Sequence, residues 1–123
     1  MATVEVEQDN VVHMRGRVSA VDEPRELPSG DWVRTLRLVV QRAPAPARSG
    51  AKVAGARATQ VDTIDVACWS ASTRRMAGRL SAQEVVEVEG ALRRRFFRAG
   101  GAAASRYEVE ASRLRRVRPV SRT

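Results

Sequence analysis

Short runs in which apolar and polar residues alternate one by one recur along the chain, separated by segments rich in turn residues. Val12, Met14, Gly16 and Val18 fall on one side of such a run, with His13, Arg15 and Arg17 on the other. A two-residue period sends successive side chains to opposite faces, which is the pattern of a strand with one buried face. Gly16 inside that strand points to a bulge or a close backbone approach. Leu36, Leu38 and Val40 alternate against Thr35, Arg37, Val39 and Gln41, and Ile64, Val66 and Cys68 against Thr63, Asp65, Ala67 and Trp69. In the clearest run Val86, Val88, Gly90 and Leu92 face in, while Glu87, Glu89, Ala91, Arg93, Arg95 and Phe97 face out. Tyr107, Val109 and Ala111 alternate with Glu108 and Glu110 in a last strand, so Tyr107 is expected to pack.

The connections carry different signals. Residues 22–31, DEPRELPSGD, are dense in turn formers. Residues 43–60 are Ala, Pro, Gly and Arg with little to bury, and read as a long mobile loop. Met76 and Leu80, four apart, predict a short helix with Ser70 or Ser72 as its cap. Ser81 to Glu84 matches a capping box, but the alternation that follows predicts a strand and makes the match a coincidence. Residues 98–105, RAGGAAAS, read as a flexible hairpin tip. No internal repeat is present. The order is that of an all-β small barrel, OB-like or SH3-like, with one short helix between the third and fourth strands. Residues 1–9 form an acidic lead-in expected to be disordered, 10–118 the barrel domain, and 119–123 a short basic tail.

Charge narrows the partners. At 123 residues the chain can bury roughly two-thirds of its unfolded surface as one domain, without a disulfide or metal staple. Its single cysteine, Cys68, and single histidine, His13, leave no paired-thiol zinc pattern and no nucleophile with a base. Cys68 lies in the apolar register and is expected to be a buried, inert thiol. Glu87 and Glu89 share a face and read as solvated carboxylates or ion-pair partners rather than as an acid–base pair. No cofactor, metal or catalytic site is expected, and no apolar run is long enough to span a membrane. The acidic N-terminus does not read as a secretory signal, so the expected place is the cytoplasm, on the nucleoid.

The net charge is +8, and it is uneven: residues 1–31 hold three arginines against seven acids, the remainder nineteen Lys and Arg against seven. A balance of this kind favours a polyanionic partner. Lys52 is the only lysine. Codon usage in a GC-rich genome explains that preference as well as function does, but arginine still forks onto phosphate and stacks on flat rings. Arg48, Lys52 and Arg57 in the long loop would add screened, non-specific attraction.

Residues 10–16 (NVVHMRG), 28–30 (PSG), 36–38 (LRL), 65–69 (DVACW), 86–97 (VEVEGALRRRFF) and 106–107 (RY) resemble, in order and spacing, motifs of the bacterial single-stranded DNA-binding proteins. The resemblance spans roughly residues 10–111. It implies a five-stranded Greek-key OB barrel, binding of single-stranded DNA with little sequence preference in replication, recombination or repair, and a homo-oligomer, tetramer or dimer. It implies no catalysis. Trp69 and Phe97 stand where the family places base-stacking aromatics, and Thr63 stands where it usually has tryptophan. The family's acidic C-terminal tip has no counterpart in residues 118–123, so recruitment of repair enzymes is not expected and a divergent or accessory form is.

The residues themselves supply a candidate DNA-binding face. Arg93, Arg95 and Phe97 share one side of the fourth strand, with Trp69 on the third and Arg37 on the second. Single-strand binding without sequence preference needs cations along the backbone and rings for the bases. Arg94 and Phe96 fall on the opposite side, and Trp32 beside the turn completes the set. Each has a plainer reading: Trp69 as core at a strand end, Arg93 to Arg95 as a solvated run. An OB-fold protein-interaction module of a replication-restart, plasmid or secretion system, with incidental nucleic-acid binding, is the alternative function.

Overall fold

The computed structural model describes residues 5–43 and 60–118. The elements are β1 (Val12–Val21), β2 (Arg25–Glu26), β3 (Trp32–Gln41), β4 (Val61–Cys68), α1 (Ala71–Gly78), β5 (Val85–Ala99) and β6 (Ala102–Arg116). The long strands run in the order β1-β5-β6-β4-β3, and a β1–β3 pairing closes the ring. All pairings are antiparallel except β4 with β6, which align in parallel at Val66 and Val109. Five strands so ordered, with one helix between the third and fourth of them, make the OB barrel. Full closure leaves no sheet edge around the barrel body.

The alternation read from the sequence builds the core. Val18, Leu36, Leu38, Val66, Cys68, Val86 and Val88 are fully buried, and Ala77 and Leu80 come in from the helix and its exit. Gly16 is a close approach: a Cβ there would lie 2.5 Å from the Val39 carbonyl oxygen. The bulge belongs instead to the step between Val18 and Ala20. Ser70 is the helix cap, its hydroxyl accepting from the Thr73 N–H at 3.1 Å. Ser81–Glu84 starts no helix, although the Glu84 carboxylate still accepts the Ser81 N–H at 3.1 Å. The turn-rich segment 22–31 contains the two-residue β2, paired to Val33 and Trp32. The expected loop is described only at its ends, where the Arg42 N–H donates to the Gln60 carbonyl. Arg48, Lys52, Arg57 and residues 119–123 lie outside the described residues.

Three expectations need correcting. The hairpin expected at residues 98–105 is present, but its tip is only two residues long: β5 and β6 pair until Ala99 meets Ala102. Gly100 (φ 58°) and Gly101 (φ 83°) take the two left-handed positions of a tight turn whose twist matches the strands. Leu92 is 46% exposed and Tyr107 62% exposed, although both point to the inner side. The ladder between β1 and β5 ends at Val12 and Gly90, so beyond it the hairpin projects as an arm with no second layer beneath it. The Asn10 side chain finishes that ladder, donating to the Leu92 carbonyl (2.8 Å) and accepting its N–H (2.9 Å). Glu108 points outward yet is only 4% exposed, because arginines fold over it.

Candidate nucleic-acid interface

Strand pairing decides which outward side chains meet. Arg37 on β3 lies opposite Asp65 on β4, and Ala67 on β4 is aligned with Glu110 on β6. Across the next ladder Ala91 faces Glu110, Arg93 faces Glu108, Arg95 faces Arg106 and Phe97 faces Ala104. Residues directly opposite one another share a face. Arg37, Arg93, Arg95 and Phe97 therefore lie on one continuous outer surface, as the sequence predicts, and Trp69 joins them just past the end of β4. A groove of about 270 Å³ crosses this surface between Arg25, Arg37 and Arg106 and the acids Asp22, Glu23 and Asp65.

Rings and guanidinium groups interleave there. The Arg95 guanidinium lies over the Trp69 ring at 4.4 Å, and that of Arg106 over Phe97 at 5.7 Å. Trp69 is half-buried, and its indole N–H is the one buried side-chain polar atom without a partner among the described residues. Arg74 holds the indole's backbone, donating to the carbonyls of Trp69 and, at 3.4 Å, of Trp32. That contact brings Trp32, half-exposed at the start of β3, to the same end of the surface.

Arg94 and Phe96 lie on the reverse of the arm. There the Arg94 guanidinium sits 5.0 Å from the Phe96 ring and 5.6 Å from that of Tyr107. Phe96 is 75% exposed. The hairpin candidates thus divide between its two faces, while Arg37, Trp32 and Trp69 come from β3 and from just past the end of β4. Arg106 and Tyr107 belong to the hairpin set and were not among the sequence candidates. Their signal was present: with the turn placed at Gly100–Gly101, counting back along β6 sets Arg106 opposite Arg95 and Tyr107 opposite Arg94.

The outer face is less positive than its arginines suggest. Arg37 lies 3.5 Å from Asp65, Arg93 3.5 Å from Glu110, and Arg106 3.5 Å from Glu108. Arg95 reaches both Glu108 (3.0 Å) and Glu110 (3.2 Å). On the barrel wall Glu87 accepts from Arg115 at 2.7 Å and from Arg15, and these two guanidinium groups lower its pKa to about 2. Burial raises the Cys68 thiol to about 11, so it is protonated and unreactive near neutrality. No group of three or more His, Cys, Asp and Glu side chains among the described residues could hold a metal.

The fold has counterparts among solved structures. The chain is similar to the Plasmodium falciparum SSB solved in complex with ssDNA, with a TM-score of 0.71 over 94% of this chain and 100% of that one, at 17% identity. It is also similar to the small single-stranded DNA-binding protein of Streptomyces coelicolor, with a TM-score of 0.58 over 89% of this chain and 96% of that one, at 16% identity. The OB fold is shared. No family model matches the sequence, and no curated protein does.

Proposed function

We propose that this chain binds single-stranded DNA with little sequence preference, through the outer face of the barrel and its arm, and carries out no reaction on it. The observation that carries the reading is the interleaving of Trp69 and Phe97 with the guanidinium groups of Arg95 and Arg106 on one open β-surface. The fold shared with an SSB solved with ssDNA supports it. Arg93 and Arg37 supply further phosphate contacts, Trp32 a further ring, and Arg94 with Phe96 continue the surface round the arm. The setting is replication, recombination or repair in a bacterial cytoplasm, on the nucleoid, as a homotetramer or a homodimer.

Magnitudes say which contact dominates. Exchanging an exposed ion pair for an arginine–phosphate contact nearly balances, since exposed pairs contribute about 0–1 kcal/mol. Stacking adds about 1–3 kcal/mol per base and works for every base, because each has a π-face. Rings therefore supply most of the affinity, and the arginines steer and align the backbone. An oligo-dT titration followed by tryptophan fluorescence tests this. Quenching is expected, with a log–log salt slope of about −0.7 per phosphate contacted. Trp69→Ala with Phe97→Ala should weaken binding by about 30-fold or more, two stacked bases at about 1–3 kcal/mol each being lost.

A second reading rests on the exposed Leu92, Phe96 and Tyr107, which suit a protein partner. Under it the chain is an OB-fold interaction module of a replication-restart, plasmid or secretion system. The double variant would then keep its biological activity, and that result sinks the first reading.

A further inference from the structure

The carboxylates among the arginines have a consequence for binding that rests on the DNA-binding reading above. A carboxylate and a phosphodiester are both singly charged oxygen acceptors that a guanidinium fork receives in the same way. Asp65, Glu108 and Glu110 therefore stand where phosphates would be received: they take up Arg37, Arg93, Arg95 and Arg106 at 3.0 to 3.5 Å. The three are not equivalent. Glu108, almost fully buried, ties Arg95 and Arg106 together across the β5–β6 ladder and acts as a strut. Glu110 has a side chain 34% exposed and spans two guanidinium groups of β5, Arg93 and Arg95. Asp65 is as exposed, at 33%, but holds Arg37 alone, so Glu110 is the acid through which an arriving backbone can gain two guanidinium groups at once.

We propose that Glu110 is a specificity-determining residue that competes with phosphate for Arg93 and Arg95, so that the surface accepts a strand only where bases arrive with the phosphates. A polyanion without bases would have to displace the carboxylate with nothing gained on the rings. A strand with unpaired bases displaces it and stacks. The same competition governs the indole. Glu108 and Glu110 hold Arg95 over the Trp69 ring, whose indole N–H lacks a partner. A phosphate that draws Arg95 away from Glu110 uncovers the ring for a base.

The test compares wild type, Glu110→Gln and, as a control for net charge alone, Glu7→Gln in the exposed lead-in. Glutamine keeps an oxygen acceptor for the guanidinium groups while removing the charge. Two probes are titrated at two salt concentrations: oligo-dT, and an abasic deoxyribose-phosphate oligomer of the same length. Glu110→Gln should bind oligo-dT on the order of 3-fold tighter at low salt, with a salt slope steeper by about 0.7, the signature of one more phosphate neutralised. It should bind the abasic oligomer measurably where wild type does not, and Glu7→Gln should match wild type on both probes. Asp65→Asn, which frees Arg37, should shift binding in the same direction by less, and covers the case of a misfolded Glu110 variant.

A Glu110→Gln protein that melts like wild type yet binds oligo-dT equally or more weakly overturns the proposal, because Glu110 would then only prop the arginines in place. Equal gains from Glu110→Gln and Glu7→Gln overturn it as well. A wild type that binds no oligo-dT even at low salt overturns the DNA-binding reading, and this inference with it.

Discussion

Strands β5 and β6 run through both the barrel body and the arm, yet their inner side has a different fate in each. In the body, Val86 and Val88 of β5 point inward and are sealed beneath four other strands. A few residues on, Leu92, Arg94 and Phe96 point the same way and stand in solvent, with Tyr107 beside them. Alternation sets the side a residue takes; burial needs a second layer, and the ladder from β1 stops at Gly90. Side chains not consumed by a core remain free to meet a ligand on both faces of the hairpin. The arm carries Phe96, Phe97, Tyr107 and the guanidinium groups of Arg93 to Arg95 and Arg106, and the body sets Trp69 beneath Arg95.

That contrast can be broken most directly by truncation. Leu38→Ala in the body should cost about 2–5 kcal/mol of unfolding free energy in a urea melt, the usual range for a buried leucine. Phe96→Ala on the arm should leave the melt within about 0.5 kcal/mol of wild type. Equal losses would mean that the arm belongs to the folded core after all.

The turn sharpens the comparison at smaller scale. Gly100→Ala places a side chain at φ 58°, where a Cβ meets open space but a left-handed conformation costs about 1–2 kcal/mol. The penalty should appear as faster amide exchange confined to the arm, at Arg95 to Arg106, with the barrel amides unchanged. Exchange that quickens throughout the barrel would show body and arm opening as one unit.

The smallest effect concerns acid. Glu87, on the body, has its folded pKa lowered from 4.5 to about 2 by Arg115 and Arg15. Such a group stabilises the fold fully above its unfolded pKa, and that contribution fades as pH falls through the folded value. Melts of wild type and Glu87→Gln should therefore differ near neutrality and converge between pH 4.5 and pH 2. The difference should be small, because Glu87 shares its charge with partners in contact with solvent. A gap that persists at pH 2 would assign the contribution to packing.

Much of the fold was legible. Each barrel strand followed from its alternation; the helix cap was narrowed to Ser70 or Ser72 and Gly16 to a bulge or a close approach, and the structure chose Ser70 and the close approach. The candidate face was legible in part. Arg93, Arg95 and Phe97 share a side because they are two apart on one strand, and Arg37 joins them through β4 and β6. Arg106 stayed hidden because residues 98–105 read as a flexible hairpin tip with no turn placed in it, so its register opposite Arg95 could not be counted. The commitment of four arginines to three carboxylates was hidden for another reason: Glu108 and Glu110 look on their own strand like two solvated acids.

Taken alone, the amino-acid order determined the strands, the side each residue takes and the excess of arginine, because these depend on a two-residue period and on composition. Tertiary structure alone decided which outward residues became neighbours, where the inner side ceased to be buried, and how much of the positive charge was already matched. Those outcomes depend on pairing between strands far apart in the chain, and a local pattern carries no record of its distant partner.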